Sequence, residues 1–125
     1  MQKSRSAQWK KERLRNYLRT HRKKAGLSER DVAVLLAYSD DVAISRHEQS
    51  TTMPPLSAAI AYEIIFKTPV SVLFHGIRDA AKSAIEDRLR KLGEELQAKH
   101  GKGARAARTN QKLAWLAERQ NIEDD

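Results

Sequence analysis

From residue 9 to residue 74 the apolar side chains recur at helical spacing, but only in short pieces, each closed by a residue that stops a helix. Trp9, Leu14, Tyr17 and Leu18 form the first piece among basic neighbours, and Gly26 supplies the left-handed stop that a helix end often needs. Ser28, followed three residues later by Asp31, predicts a capping box with Asp in place of the usual Glu. The second helix it opens has apolar positions Val32, Leu35 and Leu36 and ends near Ala37. Tyr38-Ser39-Asp40-Asp41 makes a polar break. Either Asp can cap a third helix over about 41–49, with Ile44 facing inward. After the turn-forming stretch 50–55, Pro55 or Leu56 begins a fourth helix carrying Ile60, Ile64, Ile65 and Phe66. Pro69 starts a fifth short helical turn through Val72, Leu73 and Phe74.

Beyond Gly76 the rhythm lengthens. Ile77, Ala81, Ile85, Leu89, Leu92 and Leu96 predict one helix over 77–99, about 34 Å long at 1.5 Å per residue. Leu89, Leu92 and Leu96 approximate a coiled-coil seam, weakened by its shortness and by Gly93. Residues 100–110 lack large apolar side chains and read as a basic flexible linker. Leu113, Trp115 and Leu116 then predict a short amphipathic helix before the acidic end Glu123-Asp124-Asp125. The expected organisation is a domain over 1–76, a long amphipathic helix over 77–99, and a linker with a short helix over 100–125.

The net charge of +8 favours a polyanionic partner, and its distribution says more than its size. Ten basic side chains fall in residues 1–24, from Lys3 to Lys24, against the single acid Glu12. Residues 25–76 are net acidic, with only Arg30, Arg46 and Lys67 opposing six carboxylates. The absence of cysteine removes disulfides, thiol catalysis and cysteine-based zinc sites, and fits a reducing cytoplasm. The polar, basic start has no secretory character, and no later run approaches membrane-spanning length. The four histidines show no zinc-type pairing, and neither a Gly-x-Ser-x-Gly elbow nor a Gly-rich phosphate loop is present. The expectation is therefore no enzyme, no cofactor and no metal. With seven aromatics and no stacking platform, RNA binding through the basic ends is the weaker nucleic-acid reading.

Five short helices with a polar turn between the second and third are the layout of a helix-turn-helix domain. Residue identities sharpen this. Leu18-Arg19-Thr20-His21-Arg22-Lys23-Lys24-Ala25-Gly26-Leu27-Ser28, then Val32-Ala33-Val34-Leu35-Leu36, then Ile44-Ser45-Arg46-His47-Glu48, then Pro55-Leu56 resemble the xenobiotic-response-element family of transcriptional regulators, the phage lambda repressor and Cro kind. The resemblance covers roughly residues 14–74. It implies an all-α fold: a five-helix lambda-repressor-like domain, here with a long C-terminal helical extension. One extra residue between Ser39 and Ile44 lengthens the turn relative to the common version.

Carried over by position, the resemblance implies that Asp41, Val42 and Arg46 face base edges and that Ile44 anchors the third helix to the core. Arg46 is suited to donate two hydrogen bonds to guanine O6 and N7, or alternatively to hold a phosphate. Asp40 or Asp41 either caps the helix or accepts from cytosine N4, and Val42 either touches a thymine methyl or packs half-buried. Lys10, Lys11, Arg15, Arg19, Lys23, Arg30 and Ser45 are the candidate phosphate contacts. The family's usual Gln at the start of the second helix is Glu29 here, which puts that contact in doubt. Arg22 and Glu48 match positions that bridge the first and third helices.

The function these residues imply is sequence-specific binding of double-stranded DNA by a homodimeric cytoplasmic, nucleoid-associated regulator, with the helix 77–99 as dimer element. A reading from another class is a protein-interaction adaptor or antitoxin that grips a protein through its C-terminal helices.

Overall fold

A computed structural model describes residues 15–99 and 104–124. The described residues form seven helices and no strand: α1 Leu18–Lys24, α2 Glu29–Leu35, α3 Val42–Glu48, α4 Leu56–Phe66, α5 Val70–Leu73, α6 His75–Ala98 and α7 Ala104–Asp124. The all-α expectation holds. The chain divides into two compact units, Met1–Ala81 and Lys82–Asp125, and α6 begins in the first and continues in the second.

In the first unit the helix starts are set by side chains close in sequence. Asn16 Oδ1 accepts from the Leu18 N–H at 3.1 Å, while the Tyr17 N–H donates to the Leu73 carbonyl at 2.7 Å. That second bond commits the Tyr17 N–H to the last residue of α5. The first helix therefore begins at Leu18 rather than running back through Tyr17, and Trp9 and Leu14 lie outside the described residues. Gly26 closes α1 with a φ of 75°, in the left-handed region where glycine is favoured.

The capping box opens α2: the Ser28 hydroxyl accepts from the Asp31 N–H, and Asp31 Oδ2 accepts from the Ser28 N–H. Both bonds favour the ionised carboxylate and hold Asp31 below its usual pKa. Val32 and Ala33 are buried and Leu36 packs on the core. Leu35 instead stands 57% exposed, a departure from expectation. Positions 32, 33 and 36 share the inner face of one helical turn, and Leu35, one residue before Leu36, is rotated about 100° away from it. The chain then leaves α2 through Ala37 at a φ of 63°.

Six residues, 36–41, join α2 to α3. Asp40 does the capping, its Oδ1 accepting from the Val42 N–H at 3.0 Å, and the Asp41 side chain makes no cap bond. Pro55 precedes α4 and Pro69 precedes α5. Glu63 Oε1 fixes the start of α5 by accepting from the Val70 N–H at 2.7 Å.

The inner face of α4 is Ala58, Ala59 and Tyr62, not the isoleucines. Ile60 and Ile64 are exposed, and Phe66 packs on the edge of the core. An almost wholly apolar helix carries no rotational signal of its own, so the small side chains decide which face lies closest to its neighbours. Leu18, Val32, Ala33, Ile44, Ala59, Tyr62, Leu73 and Phe74 form one cluster, and Ile77 of α6 packs against it.

In the second unit α6 continues to Ala98 and is followed by α7. Residues 104–110 are helical, which corrects the expectation of a linker there; residues 100–103 lie outside the described residues. Ala104-Arg105-Ala106-Ala107-Arg108 consists of the strongest helix formers, and the missing bulk that suggested a linker has no bearing on helix propensity. The two helices share one groove, lined by Glu86, Leu89, Gly93 and Gln97 of α6 and by Leu113, Leu116 and Gln120 of α7, and Leu116 reaches Gly93. A Cβ at Gly93 would lie 3.7 Å from Leu116 Cδ1, an ordinary contact distance. No helix among the described residues is long and apolar enough to cross a membrane.

Candidate nucleic-acid interface

Helix α3 presents two faces of opposite character. Its inner face carries Ile44, fully buried, and His47, 4% exposed. Its outer face carries Val42, Arg46 and Gln49, four and three residues apart and all exposed, with half-buried Ser45 between them. Helical geometry puts residues at such spacings on one side. Asp41 stands exposed at the start of that face.

Three attachments fix the inner face. The Arg22 guanidinium from α1 makes a two-pronged bridge to Glu48, Nε to Oε2 at 2.6 Å and Nη2 to Oε1 at 3.1 Å. Its Nη1 donates to the Leu27 carbonyl at 3.0 Å, so one side chain ties α1, the α1–α2 connection and α3 together. The Glu48 hydrogen bond raises the Arg22 pKa further, and the two side chains are only 12% and 6% exposed. Second, His47 Nδ1 lies 2.8 Å from the Tyr62 hydroxyl of α4, with Tyr38 edge-on to the imidazole. Burial pushes the His47 pKa down and keeps the ring neutral at pH 7; the same burial pushes the Tyr62 phenol up. Third, Asn16 Nδ2 donates to the His47 carbonyl at 2.9 Å and to Ser50 Oγ at 3.2 Å, pinning the end of α3 to the chain before α1.

The outer face is correspondingly uncommitted. The Arg46 guanidinium pairs with no other described residue. Gln49 Nε2 donates to Ser45 Oγ at 3.2 Å. About two turns of helix thus offer a fork of donors, a methyl-bearing surface at Val42 and an amide, the chemistry that reads base edges.

The other expected contact residues sit on neighbouring elements. Arg19 and Lys23 are exposed four residues apart on α1, Arg15 is exposed just before it, and Arg30 is exposed on α2. Both helices pack against α3. Lys10 and Lys11 lie outside the described residues. Arg22 is committed to Glu48 and unavailable to phosphate.

Reading the residues in order had missed Gln49, although its position seven after Val42 on one face is a signal the sequence contains. It had also missed His47, Tyr62 and Asn16 as the clasp behind the helix. Among the described residues there is no group of three or more His, Cys, Asp or Glu side chains arranged to hold a metal ion. Comparison with protein-family models, curated proteins and solved structures returns no match, so the chemistry of this surface carries the functional argument alone.

Proposed function

We propose that this protein binds double-stranded DNA sequence-specifically, with α3 in the major groove, as a dimeric transcriptional regulator of the xenobiotic-response-element kind. The observation that carries the reading is the asymmetry of α3: an inner face clasped by Ile44, the His47–Tyr62 bond and the Arg22–Glu48 bridge, and an outer face on which Val42 and the Arg46 guanidinium stand exposed, Arg46 with no partner among the described residues. The order and lengths of α1 to α5 agree with a lambda-repressor-like domain, in which the second short helix braces the third.

In this reading Arg46 donates both prongs to one guanine, Val42 meets a thymine methyl, and Ser45, Arg15, Arg19, Lys23 and Arg30 hold phosphates. Asp41, whose side chain makes no cap bond, accepts from cytosine N4 and rejects bases that offer only acceptors. The basic residues ahead of α1, Lys10 and Lys11 among them, supply most of the phosphate attraction, because residues 25–76 are net acidic. The reading places the protein in the cytoplasm, on the nucleoid.

Selection of bound sequences from a random duplex library, followed by gel shift, tests this. The wild type is expected to enrich a defined site. Arg46→Ala should lose about 1–3 kcal/mol of discrimination at one base pair with the domain still folded. Absence of any enriched sequence would sink the proposal, and enrichment that ignores Arg46→Ala would sink the assignment of that residue.

The exposed Trp115 and Ile122 favour a second reading, an adaptor or antitoxin that holds another protein through 82–124. It predicts no sequence preference in the same selection.

A further inference from the structure

From residue 96 to residue 117 the chain carries no carboxylate, its longest such stretch, and Lys99, Lys102, Arg105, Arg108 and Lys112 fall inside it. The last three stand on α7. Arg105, Arg108 and Lys112 are exposed, three and four residues apart, a spacing that puts them on one side of the helix. None of their charged groups pairs with another described residue. The cations of α6 are placed otherwise: Lys82 meets Glu86 at 3.9 Å, Lys91 meets Asp87 at 3.2 Å, and Arg90 shares that Asp87.

This arrangement works against α7 itself. Charges that favour an isolated helix are acids first and bases last, because the helix dipole is positive at its start. Helix α7 has the reverse order. Its first turn holds Arg105 and no acid, while Glu118, Glu123 and Asp124 lie in its second half beside the single base Arg119. Like charges four residues apart, as at Arg108 and Lys112, repel as well. An anion from outside the chain relieves both costs at once.

We propose that the face of α7 formed by Arg105, Arg108 and Lys112 is a second DNA-binding surface, which holds phosphates of duplex DNA without reading its sequence. The choice of duplex DNA rests on the DNA-binding reading above, to which this surface adds a contact made by the second unit. Charge complementarity selects the occupant. Three unpaired cations lie within about 10 Å of helix, against a duplex that carries one negative charge per ~1.7 Å of its axis. Two of the three are guanidinium forks, whose paired donors match phosphate oxygens. Residues 25–76 are net acidic, so phosphate attraction has to come from outside them. A membrane surface fits less well. Ile122, 70% exposed, is the apolar side chain that would enter it, and its sequence neighbours Glu123 and Asp124 would be drawn toward anionic headgroups with it.

Binding of the full chain to a random-sequence duplex, followed over salt concentration, tests the proposal. The triple variant Arg105→Gln, Arg108→Gln, Lys112→Gln should reduce the slope of log affinity against log salt by about two to three, since each phosphate contact contributes about 0.9. A matched control removes the same charge from α6: Lys82→Gln, Arg90→Gln, Lys91→Gln should lower the slope by less than about one. Equal falls in the two variants would show diffuse charge rather than a site and would overturn the proposal, as would an unchanged slope in the α7 variant. Circular dichroism guards the fold, and Lys112→Gln alone, expected to lower the slope by about one, keeps the test decisive if the triple variant loses helix. The α7 variant should also select the same sequence as the wild type. A wild type that selects no sequence, yet loses slope in the α7 variant, sinks the sequence-specific reading and leaves this contact standing. Wild-type binding to vesicles of equal phosphatidylcholine and phosphatidylserine that is lost in the α7 variant, with the DNA slope unchanged, would assign the face to a lipid surface and overturn the proposal.

Discussion

The first unit closes eight side chains into one cluster over five short helices, whereas the second spreads two long helices over 82–124 without burying one described residue. Length of helix and stability of structure are thus inversely placed. Seven-residue helices do not persist alone in water, so α1, α2 and α3 owe their existence to the core they share. The long helices owe theirs to local propensity, to surface pairs such as Lys82–Glu86, and to whatever covers Trp115 and Ile122. One unit is a rigid mount for a side-chain array; the other is a surface in want of a partner.

The widest gap between them should appear on truncating one apolar side chain in each. Ile44→Ala removes a fully buried group and is expected to destabilise the first unit by about 4 kcal/mol. Leu113→Ala removes a half-buried one and should have less than half that effect. Denaturant titration, with amide exchange to assign each transition to its unit, makes the comparison; equal losses would break it.

Next in size is Glu48→Ala, which leaves the Arg22 guanidinium largely buried without its carboxylate and should lower stability by about 3 kcal/mol. Replacing both residues by apolar ones of similar volume should recover much of the loss, because the penalty lies in the stranded charge. Arg78→Ala, which removes an exposed pair with Asp79, serves as the control and is expected to change stability by under ~1 kcal/mol.

His47 separates the units by pH. Its folded-state pKa lies below the ordinary 6.5, because burial disfavours the imidazolium. The unfolded chain then takes up a proton near pH 6.5 that the folded chain refuses. The full contribution of a neutral His47 to stability is present above pH 6.5 and is lost as pH falls through the folded pKa. Stability of the first unit, followed by denaturant midpoint from pH 7.5 to 5, should decline accordingly, with the decline reduced in His47→Gln.

What could be read from the sequence follows the range of the interactions. Gly26, the Ser28–Asp31 box and the prolines before α4 and α5 act within four residues, so their elements were legible. The inward Ile44 was legible from its place in a short amphipathic turn. The Arg22–Glu48 pair spans 26 residues and was visible only through resemblance. The His47–Tyr62 bond spans 15 and the Asn16–His47 bond 31, with no periodicity to announce either. Helix α4 misled for the opposite reason: apolar on all sides, it offered Ile60 and Ile64 as plausibly as Ala58 and Ala59. Residues 104–110 mislead because a stretch without bulky side chains can still be helical.

The smallest effect tests how firmly the first unit holds its turn. Ala37 leaves α2 at a φ of 63°, where its Cβ crowds the backbone, and the longer six-residue path to α3 passes through it. A glycine there is free of that strain but has more conformational freedom to lose from the unfolded chain, so Ala37→Gly should stabilise by roughly 0.5–1 kcal/mol. The change sits between the brace and the candidate reading helix without touching the outer face of α3. Thermal melting should therefore rise by a few degrees while base preference stays fixed. A loss of stability instead would show that the left-handed residue is held by packing rather than endured, and would move the origin of the rigid mount from the inner face of α3 to the turn before it.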